Sequence, residues 1–552
     1  MHLILFAPLL LVLAAAPVLG PIVFEEIANR AGVAFVADSS PTPEKHQPET
    51  MVGGVALLDY DGDGYLDIYF VNGASMPSLQ KDDPKFKNRL YHNNHNLTFT
   101  DVTDRAGLAG AGYGMGAAVG DYDNDGKPDL YVVNVNGNQL FHNNGDGTFT
   151  DVTGKAGVAG GIYHGQKMWS DSAAWVDYNN DGLLDLFVSS YCEWNAATEP
   201  ACVVNNSRIS CSPRMYQPLP NTLYRNNGDG TFTDVSKETG IAAHLGRNMG
   251  VAIGDYDRDG YTDIFVANDD MPNLLFHNIG GKRFEEVAMD AGVALPENGN
   301  AISGMGADFR DLFNRGLPDI WMTAIEKQTF PLYRNLGKGQ FEDDTAVSRI
   351  GLQTAGMSGW SNGAVDFDND GWKDLFAARA NVMDNVALFA PRRYEEPNAV
   401  FRNLGNGEFQ NVSATAGPDF QIAGVHRGAA FGDLDNDGRI DVVVGVLNGP
   451  AKIFHNVSEN ANHWILLNLA GTKSNRMGIG ARIRLTGSDG LVQYNEVTTS
   501  VGYASSSDPR VHFGLGAAKS VKEIEIIWPS GIRQVLNNVA ADRIVSVRES
   551  AR

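Results

Sequence analysis

An all-β fold is predicted: a seven-bladed β-propeller whose last blade is closed by an N-terminal strand, followed by a small β-sandwich-like domain. Three observations predict it. An acidic loop recurs seven times, starting at Asp59, Asp121, Asp177, Asp255, Asp311, Asp366 and Asp433, at intervals of 55 to 78 residues. Six of the loops precede a turn-centred segment of the type FHNNGDGTFTDVT, and the seventh reaches only FHNVSEN. The run missing from the seventh copy stands at the other end of the chain, as FEEIANRAGV from Phe24. Self-similarity on this scale marks repeat architectures, and a ring that borrows its last strand leaves no open sheet edge.

Each unit supplies four strands in order. A small-residue run such as GMGAAVG comes first, then the acidic loop, then an apolar run such as DLYVVN. After a second loop come two alternating runs joined by an asparagine-glycine turn, which is a hairpin signal. Past about Asn460 the repeat stops, and HWILLNL, GARIRLTG, LVQYNEVTTS, RVHFGLG, VKEIEIIW, IRQVLNN and RIVSVRE predict a second all-β region. The boundaries read from these patterns are 1–20 for a leader, 21–459 for the propeller and 460–552 for the C-terminal domain.

The chain has 552 residues, 43% of them hydrophobic, and a formal charge of −23. That charge argues against nucleic acid or an anionic membrane as a partner. Leu3 to Leu13 form an apolar run too short to span a bilayer, followed by Ala14, Ala15 and Ala16, which predicts a secretory signal peptide. No other run is long enough for a stable membrane span, so the expected location is secreted, periplasmic or at the cell surface. In an exported protein a disulfide between Cys202 and Cys211 is the preferred pairing, because Cys192 ends a predicted strand. Three free thiols are the alternative, since spacing does not fix connectivity.

The acidic loop carries the chemistry. In DYDNDGKPD, positions 1, 3, 5 and 9 are acids, and the glycine at position 6 permits a sharp turn. Hard oxygen ligands in this number suit Ca²⁺, and with no His or Cys in the loop zinc is disfavoured. An EF-hand needs Glu at position 12; here that position is Phe70, Val132, Val188, Val266, Ala377 or Val444, inside a strand. The expected metal ligands are Asp59, Asp61, Asp63 and Asp67; Asp121, Asp123, Asp125 and Asp129; Asp177, Asn179, Asp181 and Asp185; Asp255, Asp257, Asp259 and Asp263; Asp366, Asp368, Asp370 and Asp374; Asp433, Asp435, Asp437 and Asp441. The fifth loop, DLFNRGLPD, has Phe313 and Arg315 where acids belong, and the guanidinium is expected to pair with Asp311 and Asp319 in place of a metal. Six Ca²⁺ and one metal-free loop follow, the calcium being structural.

Blade connectivity puts the acidic loops and hairpin turns on one face. The long insertions Gly73 to Arg89, Ser190 to Asn221 and Arg379 to Asn398 all join the second strand to the third and crowd the opposite face. Long loops on a rigid scaffold are where binding residues concentrate. Trp194, Tyr216, Arg392, Arg393 and Tyr394, with His164 and His426, are the candidates there. No GxSxG, HExxH or Walker loop occurs, and the repeated FHN histidines read as structural.

The repeat GAAVGDYDNDGKPDLYVVN with FHNNGDGTFTDV resembles the FG-GAP/VCBS repeats of integrin-α-type propellers. GIGARIRL, VGYASSSDPRVHFGLG and IEIIWPSGIRQVLNNVAADRIVSVRE resemble the ASPIC/UnbV domain, and together the two cover nearly the whole chain, similar to the cartilage acidic protein family and its bacterial members. The resemblance implies an exported calcium-binding propeller whose metal loops lie away from the ligand face. It implies no enzymatic activity and no defined ligand, and the fifth loop departs from its pattern. The expected function is an interaction module for an extracellular protein or glycan. An extracellular enzyme acting on polysaccharide or another polymer through the inserted loops is the alternative.

Overall fold

The computed structural model describes residues 20–551, so all of the expected leader but Gly20 lies outside the described residues. The repeat region forms seven four-stranded antiparallel sheets. Blade 2 is representative: Gly114–Gly120 innermost, then Asp129–Asn134, Gln139–Asn143 and Phe149–Asp151. The other inner strands are Val55–Leu58, Ser170–Val176, Asn248–Gly254, Ala307–Arg310, Gly359–Val365 and His426–Gly432. Each packs against the inner strands of the blades before and after it, and blade 7 packs against blade 1, so the ring is closed.

Closure follows the expected route. Phe24–Glu26 pairs antiparallel with Lys452–Asn456, with Phe24 opposite Asn456, and completes blade 7. Phe24 lies among Phe367, Phe420 and Phe454, all buried, so the seam is an aromatic cluster.

A second latch repeats around the ring. The asparagine of each FHN or YRN segment donates from Nδ2 to a backbone carbonyl in the acidic loop of the preceding blade: Asn143 to Tyr60, Asn226 to Tyr122, Asn278 to Tyr178, Asn335 to Tyr256, Asn403 to Leu312, Asn456 to Phe367 and Asn93 to Leu434, at 2.7 to 2.9 Å. Those carbonyls are buried and would otherwise lack a donor, so the repetition of the asparagine has a physical cause.

The C-terminal region builds two sheets. Val492–Glu496, Arg482–Gly487, Ser520–Ile527 and Arg533–Ala540 form one; Val511–Gly516, His463–Ala470 and Arg543–Arg548 form the other, its last two strands parallel. This region sits on the acidic-loop face. Arg476 N donates to Asn124 Oδ1, Asn460 Nδ2 to Asp368 O, Lys373 Nζ to Tyr494 O, and Arg510 Nη2 to Asp433 O.

Its connection Thr498–Asp508 does more than rest on that face. It enters the ring and bonds the inner strand of every blade. Ser506 exchanges bonds with Val55 and Leu57, Thr499 Oγ1 donates to Val119 O, and Ala504 N to Ser172 Oγ. Ser500 Oγ donates to Val251 O, Gly502 exchanges bonds with Ala307, Tyr503 N donates to Ser361 Oγ, and Asp508 N to Phe431 O. The small residues of the inner strands now have a reason. A Cβ on Gly116 would lie 2.5 Å from Ala504 O, and one on Gly250 2.6 Å from Gly502 O, so only glycine admits the inserted segment.

Candidate metal centres and the opposite face

The acidic loops close on their own first residue. Asp121 Oδ1 accepts from Asp125 N at 3.1 Å and Oδ2 from Gly126 N at 2.8 Å; Asp366 and Asp433 repeat the pattern. The last acid ties the loop to the sheet: Asp129 Oδ1 accepts from Asn143 N at 2.8 Å, and Oδ2 from Tyr122 N at 3.2 Å. Position 4 adopts the left-handed region at Asn124, Asn180, Arg258, Asn314, Asn369 and Asn436 and donates to the position-6 glycine carbonyl of the next blade's loop. Asparagine tolerates that backbone and supplies the donor.

Carboxylates converge as the sequence predicts, and they are short of partners. Asp255 Oδ1 and Asp435 Oδ1 are buried atoms with no hydrogen-bond partner. Burial, with repulsion from neighbouring carboxylates, raises the last acid of the first loop, Asp67, to about 9, and the first acids Asp121 and Asp433 to about 7 and about 8. Acids this reluctant to ionise alone form a site that a divalent cation would satisfy, and the all-oxygen donors of the loop suit Ca²⁺.

Five loops meet a Lys or Arg of the protein itself: Lys127 Nζ lies 2.7 Å from Asp125 Oδ2 in the second, Arg439 pairs with Asp437 in the seventh, and the fourth, fifth and sixth each take an arginine. In the fifth, Arg315 Nη2 lies 2.6 Å from Asp319 Oδ1 and Nη1 donates to Asn335 O. Asp311 does not meet the guanidinium; it accepts from the Arg315 and Gly316 amides, so the expected double pairing is half right. Phe313 packs beneath Arg334, whose Cζ is 4.2 Å from the ring centroid. In the fourth loop Arg482 of the C-terminal region reaches Asp255 Oδ2 at 2.5 Å, and in the sixth Arg402 reaches Asp368 Oδ2 at 2.7 Å.

One part of the sequence reading is corrected. Histidine does reach the acidic loops, from the third strand instead of from within the loop. His92, His142, His277 and His455 place Nδ1 within 3.0 to 3.2 Å of the last acid of their own loop, Asp67, Asp129, Asp263 and Asp441. The signal was present in the alternation of FHN or YHN with YRN or FRN, but the third strand lies 25 residues after its acid in blade 1, and no local pattern joins them.

On the opposite face the N-terminal segment binds all three insertions together. Met76 N donates to Ser40 Oγ, Arg208 Nε to Glu44 O at 2.7 Å, and Lys45 Nζ lies 2.5 Å from Asp384. His46 Nδ1 lies 2.5 Å from Glu199 Oε2, and Asn385 Nδ2 donates to Arg208 O, linking the second and third insertions. Cys202 and Cys211 are bonded, their Cα atoms 5.3 Å apart, and Cys192 is buried as a thiol.

The ligand-face candidates are scattered between surface and core. Tyr216 is 5% exposed and donates to Glu199; Trp194 packs against the core beside His46; Arg392 pairs with Glu326 at 2.7 Å; Tyr394 is half-buried and Arg393 exposed. His164 is exposed beside Glu193, whereas His426 is fully buried in an inner strand and is no surface residue.

Residues 59–132, 121–188, 209–266, 255–322, 311–377 and 383–444 match the FG-GAP-like repeat family, and residues 471–552 match the ASPIC and UnbV family. Cartilage acidic protein 1 of Homo sapiens is 24% identical over 95% of this chain and 76% of its own length; that of Mus musculus is 24% identical over 93% and 74%. Among solved structures, an Agrocybe aegerita lectin specific for non-reducing terminal N-acetylglucosamine aligns with a TM-score of 0.40 at 17% identity, over 66% of this chain and 81% of its own. The rhamnogalacturonan lyase YesW aligns with a TM-score of 0.38 at 14% identity, over 74% and 72%. Likenesses of that size carry no information on ligand or activity.

Proposed function

Since this chain belongs to the FG-GAP-like repeat proteins that carry an ASPIC and UnbV module, we propose that it is an exported, calcium-stabilised interaction propeller. The reading assigns about six Ca²⁺ to the acidic loops as fasteners and divides the chain into a leader, a propeller over 21–459 and a C-terminal module over 460–552. The protein would act outside the cytoplasm, as a secreted, periplasmic or cell-surface molecule, and among the described residues no helix is long and apolar enough to cross a membrane.

The observation that carries this reading is the division of labour between the two faces. The C-terminal module covers much of the acidic-loop face, while the opposite face is a composite of three insertions and the segment 38–47, joined by side-chain bonds instead of by regular sheet. A surface of that kind on a rigid ring suits recognition of a protein or glycan. The test is capture of extracellular protein and glycan by the immobilised full chain, comparing wild type with Arg392→Ala/Arg393→Ala. Binding lost by that variant with its melting temperature unchanged supports the reading. Binding unaffected by it, or turnover of a polymer without stable binding, counts against it.

A further inference from the structure

The histidines that reach the acidic loops give four blades a donor that calcium does not need. In blade 2, His142 Nδ1 lies 3.4 Å from Asp123 Oδ2 and 3.2 Å from Asp129 Oδ1. Blade 1 repeats the spacing with His92, at 3.4 and 3.2 Å from Asp61 and Asp67. Blade 4 has His277 at 3.7 and 3.2 Å from Asp257 and Asp263. In these blades and in blade 7, with His455, one ring nitrogen and two carboxylate oxygens lie within 4.8 Å of one another. Donors bound roughly 2.1 Å from a metal sit about 3.0 to 3.4 Å apart in octahedral or tetrahedral geometry; both histidine-to-carboxylate separations in blades 1 and 2 fall in that range, and blade 4 has one of its two outside it, at 3.7 Å.

A hydrogen bond from His to Asp is the rival explanation, and two observations weigh against it as the whole account. In blades 1 and 2 the Nδ1 atoms are buried and have no hydrogen-bond partner, although two carboxylate oxygens are near each; in blades 4 and 7 the bond is made, His277 Nδ1 to Asp263 Oδ1 at 3.2 Å and His455 Nδ1 to Asp441 Oδ1 at 3.0 Å. In blade 4 the buried Asp255 Oδ1 is likewise unpartnered, and Asp255 is only 4% exposed. The distribution of histidine along the chain points the same way. At this third-strand position it occurs only where positions 3 and 9 of the loop are both acids; the blades with Asn179 or Phe313 at position 3 carry Arg225 and Arg334 instead. Blade 6, the acid-complete exception, carries Arg402, which itself binds Asp368 at 2.7 Å.

We propose that blades 1, 2, 4 and 7 are mixed Asp–His–Asp sites that accept a divalent first-row transition ion of the Zn²⁺, Mn²⁺ or Co²⁺ class through the ring nitrogen and two carboxylates. Nitrogen with two carboxylates is a donor set for such borderline ions, whereas Ca²⁺ takes oxygen alone. The blades with arginine at the same position are confined to oxygen coordination or to none. This inference rests on the acidic loops being cation sites at all, and its test separates the two.

The full chain, stripped of metal, is titrated with Co²⁺ and followed by visible absorption, and with Mn²⁺ followed by pulsed EPR for coupling to histidine nitrogen. Calcium binding is measured on the same preparation by equilibrium dialysis. The expected result is nitrogen-coordinated metal at up to four equivalents, with His92→Gln and His142→Gln each removing one, and Arg402→His adding one. Circular dichroism shows whether each variant is folded, and the arginine variant provides a gain of signal that unfolding cannot mimic. Co²⁺ and Mn²⁺ bound without nitrogen coupling, or a stoichiometry untouched by His142→Gln, would overturn the proposal while leaving calcium binding intact. No uptake of either kind of ion would overturn both.

Discussion

Tyr503 belongs to the C-terminal module in sequence and to the propeller in space, and replacing it by alanine measures how far the two share their stability. The ring is fully buried, 5.4 Å from Trp360, whose other neighbour is the Arg427 guanidinium with Cζ 3.8 Å from the indole centroid. The hydroxyl lies 3.0 Å from Met51 O and 3.1 Å from Asp171 Oδ1, both buried, and it can donate to only one at a time. Emptying an aromatic site in a packed core costs about 3–5 kcal/mol, and the carboxylate left without its hydroxyl adds to that, so about 4 kcal/mol is a conservative figure. For the 532 described residues the unfolding entropy is roughly 1.1 kcal/mol/K, which converts the loss into a fall of about 4 °C. Scanning calorimetry is the assay. Wild type is expected to melt in one cooperative transition, and Tyr503→Ala to lower that same transition by about 4 °C. Two separate transitions in wild type, or a propeller transition that stays within 1 °C in the variant, would refute the shared core.

The acidic loops give three further expectations. Converting the fifth loop with Phe313→Asp and Arg315→Asp restores the missing acids and is expected to raise the calcium stoichiometry by one, read by native mass spectrometry; Arg315→Ala alone leaves buried Asp319 unpaired and should destabilise by about 2 kcal/mol in urea unfolding, the pair being partly solvent-screened. Without metal, the folded protein holds Asp67 at about 9, Asp433 at about 8 and Asp121, Asp177 and Asp263 at about 7, raised by burial first. The folded state therefore binds more protons than the unfolded one above pH 4, so stability should fall as pH rises from about 4 to about 9, and saturating Ca²⁺ should flatten that slope in melts across the range.

Much of the ring was legible because the chain states it seven times over. The position of every acidic loop, the hairpins and the borrowed strand at Phe24 are local patterns repeated at intervals, and repetition turns a weak local signal into a count. What was missed lies in partners far apart in sequence. Asn143 reads as a turn residue, yet its amide is spent on Tyr60 O in the blade before. The histidines of FHN read as structural because they repeat, and their reach to the loop acids depends on strand pairing that no window of sequence contains. VGYASSSD reads as a family signature with no assigned place; its run of small residues matches the glycines of the inner strands only once both line one channel. The face opposite the acidic loops was the least legible part, because exposure of an aromatic in an irregular loop depends on how loops fold over one another. Tyr216 was drawn inward for that reason, whereas His426 is buried because it opens the inner strand of blade 7.

Calcium in the acidic loops is proposed to hold the ring together. Calcium stoichiometry with thermal melting tests it most directly: six ions per chain are predicted, with chelation lowering the melting temperature, since each site filled at a hundred times its Kd contributes about 2.7 kcal/mol. A protein that binds no calcium and melts at the same temperature with and without chelator would rule that role out.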